Sequence, residues 1–423
     1  MTISLAQLSS TLKPLASSHR LLRAALFERL RGLERGQIVI EDAHGQRAFG
    51  RARAGALSAT IAIHDPRAYR LVALGGDVGA AEGYIHGYWT STDLVSLLRI
   101  FTQNIDLTNR LSALSDRLVK LRFQLDHWLR KNTRAGSRKN IYAHYDLGNE
   151  FFAQFLDETM SYSCGIFEHP HSTLHDASIA KLDRICQKLA LGPGDRLLEI
   201  GTGWGGLAIH AARTYGCHVT TTTISDQQYA LASERVRAAG LQRRVTLLRR
   251  DYRDLHGRFN KLVSVEMIEA VGHEYYGAFF RACGERLTDD GLMLLQAITI
   301  PDQRYHTARR SVDLIRHHIF PGSVIPSTTV LMNAITQFSD MRLFHHEDIT
   351  PHYALTLAAW RRRFWRHIEA IRALDVDERF IRLWDYYLAS CEAAFEERYL
   401  GDVQMLLVKP RCRRAPILPP LTA

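Results

Sequence analysis

The chain has 423 residues, 46% hydrophobic and 23% charged, a composition that excludes intrinsic disorder and, at roughly 100–200 residues per domain, a single ordinary domain. Its net charge of +10 is N-terminal: residues 1–140 hold 21 Lys and Arg against 11 Asp and Glu, and the remainder balances at 33 against 33. Such an excess suits an anionic partner, either nucleic acid or the phosphate face of a membrane, and equally an ordinary solvated surface.

Helical periodicity at Leu21, Leu22, Ala25, Leu26 and Leu30, then alternating stretches at 37–41 and 55–64, predict a small mixed domain over 1–128. Residues 129–140 are polar, basic and aperiodic, the composition of an exposed linker, and a second domain follows over 141–412. It opens with an apolar helical face at Ile179, Leu182, Ile185 and Leu189, a helix expected over 177–191 and stopped by Gly192-Pro193-Gly194. Strand and helix then alternate: strands are expected at 196–200, 218–224, 245–250, 261–266 and 292–300. Helices are expected at 206–215, from the Ser225 cap to Ala239, and at 273–287, with a turn at Asp289-Asp290-Gly291. This order implies a doubly wound α/β sheet with helices on both faces. The six cysteines show no C-x-x-C spacing, so neither a disulfide framework nor a metal site is indicated, and a cytoplasmic setting is expected. No apolar run reaches the roughly 18 residues that a membrane span needs.

The segment Glu199-Ile200-Gly201-Thr202-Gly203-Trp204-Gly205-Gly206 follows a predicted strand and opens a predicted helix, where an open α/β sheet binds its cofactor. Dinucleotide sites carry an acid at the end of the next strand, but this chain has Thr220-Thr221-Thr222-Thr223-Ile224-Ser225, which argues against NAD. A carboxylate just before the glycines, Glu199, suits the amino-acid end of S-adenosylmethionine. The four threonines also fit plain β-propensity.

Several separated fragments resemble cyclopropane-fatty-acyl-phospholipid synthases and the related mycolic-acid methyltransferases. They are His144-Tyr145-Asp146-Leu147-Gly148-Asn149, Tyr162-Ser163-Cys164, Glu199 to Gly206, Thr223-Ile224-Ser225 with Gln228, Asp251-Tyr252-Arg253-Asp254, Glu269-Ala270-Val271-Gly272 and Ile319-Phe320-Pro321-Gly322. The first domain adds Glu82 to Trp89. The resemblance implies a Rossmann-like class I methyltransferase domain with a seven-stranded, mostly parallel sheet and an acyl-chain-binding insertion at about 301–345. It also implies a cofactor cradle of Tyr162, Ser163, Glu199, Gly201, Gly203, Trp204, Gly205, Thr223, Ile224, Gln228, Asp251 and Tyr252. In that cradle Gln228 would bond the ribose, Asp251 the adenine amino group, and Tyr252 would stack on the ring.

The implied activity is transfer of a methylene group from S-adenosylmethionine to the double bond of unsaturated phospholipid acyl chains, giving cyclopropane fatty acids. A cation formed by methyl transfer would be stabilised by aromatic faces, for which Tyr162, Phe167, Tyr305, Phe320 and Tyr353 are candidates. A bound bicarbonate would then take a proton, held at positions matching Cys164, Glu269, Gln296, Ile298 and Tyr353, with Glu269 polarising it. Cys391 matches a cysteine designated as a nucleophile in the family, although alkene methylation needs no covalent intermediate. Two departures bear on the outcome: Ala270 and Gln296 stand where many members carry His, and an amide cannot titrate. The alternative is a C-methyltransferase that gives methyl- or methylene-branched chains without ring closure.

An acyl substrate implies docking on an anionic membrane surface, peripheral on the inner face of the cytoplasmic membrane, with a homodimer left open. The basic first domain and the aromatic-cationic run Trp360 to His367 suit that surface. No nucleic-acid partner is expected, because Glu266-Met267-Ile268-Glu269 stands where an Asn/Asp-Pro-Pro-Tyr motif would activate a base.

Overall fold

The computed structural model describes residues 17–112, 148–311, 314–320 and 322–417. Its chain divides into two compact units: Met1–Asp126 with Ser311–His318 and Ile368–Tyr399, and His127–Arg310 with Ile319–His367 and Leu400–Ala423. The expected 129–140 linker lies outside the described residues.

In the first unit, strands β1 (Gln37–Asp42), β2 (Gly45–Gly50), β3 (Ser58–Ile63) and β4 (Trp89–Ser91) form one sheet in the order β2-β1-β3-β4. Alternate residues of β1 point inward, so Ile38 and Ile40 enter the core. Asp42, on the same face, is answered by Arg23 Nε at 2.5 Å and by the Tyr69 hydroxyl. Strands β2 and β4 escape sequence reading because β2 is mostly exposed and Gly-rich and β4 has three residues, so neither shows an apolar alternation.

The expected second domain, 141–412, is corrected here: 311–318 and 368–399 belong to the first unit. Helix Glu378–Glu396 buries Tyr386 and Ala389 in the same core as Trp89 and Leu97, and its Asp385 accepts from the Tyr84 hydroxyl at 2.6 Å. An amphipathic helix declares an apolar face and not the partner that covers it.

The second unit holds β5 (Arg196–Ile200), β6 (His218–Thr223), β7 (Val245–Arg249), β8 (Phe259–Val265), β9 (Leu287–Thr299), β10 (Arg342–Asp348) and β11 (Gly401–Val408). They make one seven-stranded sheet, β10-β11-β9-β8-β5-β6-β7, parallel from β7 through β9 and antiparallel at β11 and β10. The Rossmann-like α/β expectation is met. After β7 the chain returns to lay β8 on the other side of β5, so the crevice at the carboxyl ends of β5 and β8 is the switch point where such sheets bind ligands.

Two local expectations give way. Residues 289–291 are not a turn but part of β9, because Gly291 and Asp289 carbonyls accept from the Lys409 and Arg411 amides, and ladder pairing overrides turn propensity. The helix expected from 177 starts at Leu174, where Thr173 and Asp176 close a capping box.

In the first unit, helix Arg67–Ile85 breaks at Gly76 (φ 56°), and a Cβ on Gly79 would lie 1.9 Å from the Leu71 carbonyl. Gly79→Ala is therefore expected to destabilise this unit by about 1–3 kcal/mol, read as a lower urea midpoint. Gly75→Ala, whose Cβ would meet nothing within 4 Å, is expected to leave the midpoint unchanged or raise it.

Candidate active site

Strand β5 is buried from Leu197 onward and delivers Glu199 and the glycine loop to the switch point. Gly201, Gly203 and Gly205 all hold positive φ (103°, 52° and 84°), a conformation that side chains resist, and a Cβ on Gly206 would lie 2.6 Å from the Thr159 carbonyl. The threonine run has a structural task besides β-propensity. Thr221 bonds Thr202 of the loop at 2.7 Å, and Thr223 donates to Gln228 Oε1 at 2.8 Å. Arg235 ties the loop to the preceding segment, donating to the carbonyls of Trp204 at 2.7 Å and Thr159 at 3.1 Å. The buried Trp204 donates from Nε1 to Asn149 at 2.7 Å.

S-adenosylmethionine fits this cradle. Glu199 is buried, its Oε2 has no hydrogen-bond partner among the described residues, and burial raises its pKa to about 8. A cationic ligand is what such a carboxylate lacks, and the expected cofactor carries an ammonium and a sulfonium. Ile224, half-buried, directly follows β6 beside Thr223. Two of the other expected contacts are engaged within the protein. Both Asp251 oxygens pair with Arg253, at 2.8 and 2.6 Å, and the Tyr252 ring meets Phe279 edge-on at 5.4 Å.

Next to the loop, the Tyr162 ring sits within 5.2–6.4 Å of Trp360, Phe152, Phe155 and Phe320, and Tyr353 meets Trp360 at 6.2 Å. This aromatic wall gathers three of the five expected cation-stabilising rings. Tyr305 is bonded through its hydroxyl to His273, and Phe167 donates its amide to His352. The expected interfacial role of Trp360 and Phe364 is corrected: both are buried, leaving Trp365 as the exposed aromatic of that run.

Beyond the wall lies a cluster of acids, with Glu269 and Asp402 buried and Glu266 half-buried. The register sets Val265 beside Gln296 and Gln296 beside Gln404, while Asp402 faces Ile298, so the ends of β8, β9 and β11 converge. Glu266, directly after β8, holds a left-handed φ of 46°. Its Oε1 accepts from the Cys164 amide at 2.9 Å and Gln296 Nε2 at 2.8 Å, and its Oε2 from the Tyr353 hydroxyl at 2.6 Å. Gln296 is oriented by a chain behind it: its Oε1 accepts from Gln404 Nε2 at 3.0 Å, and Gln404 Oε1 from Lys188 Nζ at 2.8 Å. Glu269 Oε1 accepts from the Ile298 amide at 2.6 Å, while Glu269 Oε2 and Asp402 Oδ1 are buried with no hydrogen-bond partner among the described residues. Lys181, also buried, donates to Ser163 Oγ at 2.7 Å.

The structure thus brings Cys164, Glu269, Gln296, Ile298 and Tyr353 together, but in a different arrangement from the expected one. Cys164 contributes its amide, since burial holds its thiol neutral. The donors foreseen for bicarbonate are engaged by Glu266 and Glu269, so the residues present do not fit that ion as expected. Cys391 lies in the first unit, on helix Glu378–Glu396, whereas the rest of the set belongs to the second. Sequence reading missed Glu266, Asp402, Gln404, Lys181 and Lys188. The one available signal was the pair of glutamates three apart in Glu266-Met267-Ile268-Glu269.

Burial raises the pKa of Glu266, Glu269 and Asp402, and mutual repulsion raises those of Glu269 and Asp402 further. Lys181 and three donors favour charge on Glu266, so we place the anion there and protons on its neighbours. Glu269 moves from its ordinary value of 4.5 to about 8. The folded chain holds that proton where the unfolded chain releases it. The associated stability is full below about pH 4.5 and lost as pH rises through about 8. Urea unfolding is expected to show stability falling across this window, with Glu269→Gln reducing the slope; an unchanged slope in the variant would contradict the assignment.

Residues 132–405 match the model of the family described as mycolic acid cyclopropane synthetase. The chain is 37% identical over 369 residues to tuberculostearic acid methyltransferase UfaA1 of Mycobacterium tuberculosis, covering 83% of each protein. It is 34% identical over 366 residues to cyclopropane-fatty-acyl-phospholipid synthase of Escherichia coli, covering 83% of this chain and 87% of that one. Among solved structures, mycolic acid cyclopropane synthase CmaA1 complexed with SAH and CTAB superposes with a TM-score of 0.61 at 32% identity, covering 64% of this chain and 98% of that one. The glycine cradle, the seven-stranded sheet and these matches lead to one assignment: the chain belongs to the mycolic acid cyclopropane synthetase family of S-adenosylmethionine-dependent methyltransferases.

Proposed function

We propose that this enzyme transfers a one-carbon unit from S-adenosylmethionine to the double bond of an unsaturated acyl chain in membrane phospholipid, with a cyclopropane ring as the product. The observation that carries this reading is the juxtaposition of an aromatic wall around Tyr162 with the half-buried Glu266 carboxylate and the buried Glu269 beside it. An alkene attacked by nothing but a methyl electrophile needs its cation shielded from water and a proton acceptor close by. The bound cofactor would supply that electrophilic methyl on its sulfonium. Glu199 would anchor the cofactor's positive end, while Gly201 to Gly205 let the backbone approach it closely. The faces of Tyr162, Phe320 and Tyr353 would stabilise the lipid cation without quenching it.

The names of the relatives agree with an acyl substrate. The membrane surface is supported by the basic N-terminal third, by the exposed Leu21 and Leu74 in it, and by exposed Trp365 beside Arg366. No helix among the described residues is long and apolar enough to cross a membrane. Each Lys or Arg near an anionic surface adds about 1 kcal/mol of attraction. We place the enzyme on the inner face of the cytoplasmic membrane.

A second reading, a methyl- or methylene-branched product, is favoured by Gln296 and Ala270 in place of the two histidines and by the methyltransferase name of the 37% identical relative. Lipid mass spectrometry of cells expressing the chain separates the two. Both products gain carbon, but a ring shows cyclopropyl protons by NMR, and a branch shows a methyl doublet or vinylidene signals. Unchanged lipids would sink both readings. Glu199→Gln is expected to weaken S-adenosylmethionine binding about tenfold or more by calorimetry, the cost of a lost charge-assisted contact.

A further inference from the structure

The five positions expected to hold an external bicarbonate do not present an open set of donors. The Cys164 amide, Gln296 Nε2 and the Tyr353 hydroxyl converge at 2.9, 2.8 and 2.6 Å on the two oxygens of Glu266, and the Ile298 amide is given to Glu269. Carboxylate and bicarbonate share a flat O–C–O anion, so three donors that would fit one fit the other. We propose that Glu266 is the enzyme's own base: its carboxylate takes the place of bicarbonate and accepts the proton lost from the transferred methyl group. This assignment rests on the alkene reading above.

Three further observations point the same way. Glu266 is held at a left-handed φ of 46°, a strain that a non-glycine residue keeps only where its surroundings enforce it, and such positions cluster at functional sites. A free anion placed here would compete with the Glu266 carboxylate for the same three donors, and two like charges held that close in a poorly solvated space repel strongly. The chain Lys188–Gln404–Gln296 ends on Glu266 with every amide oriented donor to acceptor, from a buried cation to the carboxylate. A His in place of Gln296 could not continue this chain as both acceptor from Gln404 and donor to Glu266 without a fixed tautomer. A tethered base also spares the entropy of capturing a free ion.

The step balances without a co-reactant. After methyl transfer, a C–H bond of the new methyl breaks. Its electron pair closes the ring onto the neighbouring cationic carbon or, after a vicinal hydride shift, forms an exocyclic double bond. The proton passes to Glu266 and is returned to solvent before the next turnover.

The test titrates the full chain, loaded with S-adenosylhomocysteine, with isotopically labelled bicarbonate followed by NMR. In parallel, turnover is measured on vesicles of unsaturated phospholipid in carbonate-free buffer, with and without added bicarbonate. The expected results are no saturable bicarbonate binding by the wild type and turnover that bicarbonate changes by less than about twofold. Glu266→Gln, similar in size, should keep cofactor binding and lose about 100-fold or more of turnover, the usual weight of a general base. Glu266→Ala, if it folds, should gain bicarbonate binding. Saturable binding by the wild type that Tyr353→Phe abolishes would overturn the proposal, as would wild-type turnover in Glu266→Gln. Should the wild type release no S-adenosylhomocysteine with any unsaturated lipid, the functional reading fails, and the bicarbonate titration still decides what occupies the donor set.

Discussion

A charge largely withdrawn from water must be answered by donors or by an opposite charge, and the half-buried carboxylate of Glu266 is where this site meets that demand. Ordered hydrogen bonds reach it from three directions: the loop carrying Cys164, the strand carrying Gln296, and the helix carrying Tyr353. Removing any of these leaves a half-buried anion short of a partner, at a cost of about 1–3 kcal/mol. The surrounding acids then act on one another. Glu269 and Asp402, each with an oxygen that has no hydrogen-bond partner among the described residues, are pushed toward the protonated state by burial and by their neighbour, so the cluster carries less negative charge than its composition suggests.

The same economy of charge operates at the cofactor end. Burial raises the pKa of both Glu199 and Glu266, and Lys181, buried and bonded to Ser163, opposes that rise at each, which joins the two ends of the site electrostatically. A methyl donor bearing positive charge gains from a carboxylate at its amino-acid end. A lipid cation formed nearby gains from rings that cannot add to it. Water would defeat both, and the packed faces of Phe152, Phe155, Trp360 and Tyr162 leave little room for it.

Sheet topology makes this possible. Crossing from β7 back to β8 puts Glu199 and Glu266 at the ends of adjacent parallel strands, although 67 positions separate them in the chain. The antiparallel β11 then brings Asp402 and Gln404 beside β9 from the far C-terminal region. None of these acids is near another in sequence except the Glu266 and Glu269 pair.

Much was legible without coordinates. Near-continuous apolar runs announce buried parallel strands, glycines after β5 announce a close-approach loop, and scattered motifs in fixed order carried the family likeness. Helix 378–396 is a different case: its apolar stripe was readable, but which unit it joins depended on Tyr84 and Trp89, some three hundred positions away. Glu266 was equally visible as a letter and opaque as a function. Its role comes from side chains that register and crossover bring to it, and a one-dimensional pattern records neither. The sequence by itself determined the class of fold, the cofactor loop and the kind of donor it cradles, because those depend on local periodicity and backbone freedom. Which carboxylate receives the donors of Cys164, Gln296 and Tyr353 was decided only by tertiary structure, because hydrogen bonds are short and their partners lie far apart along the chain.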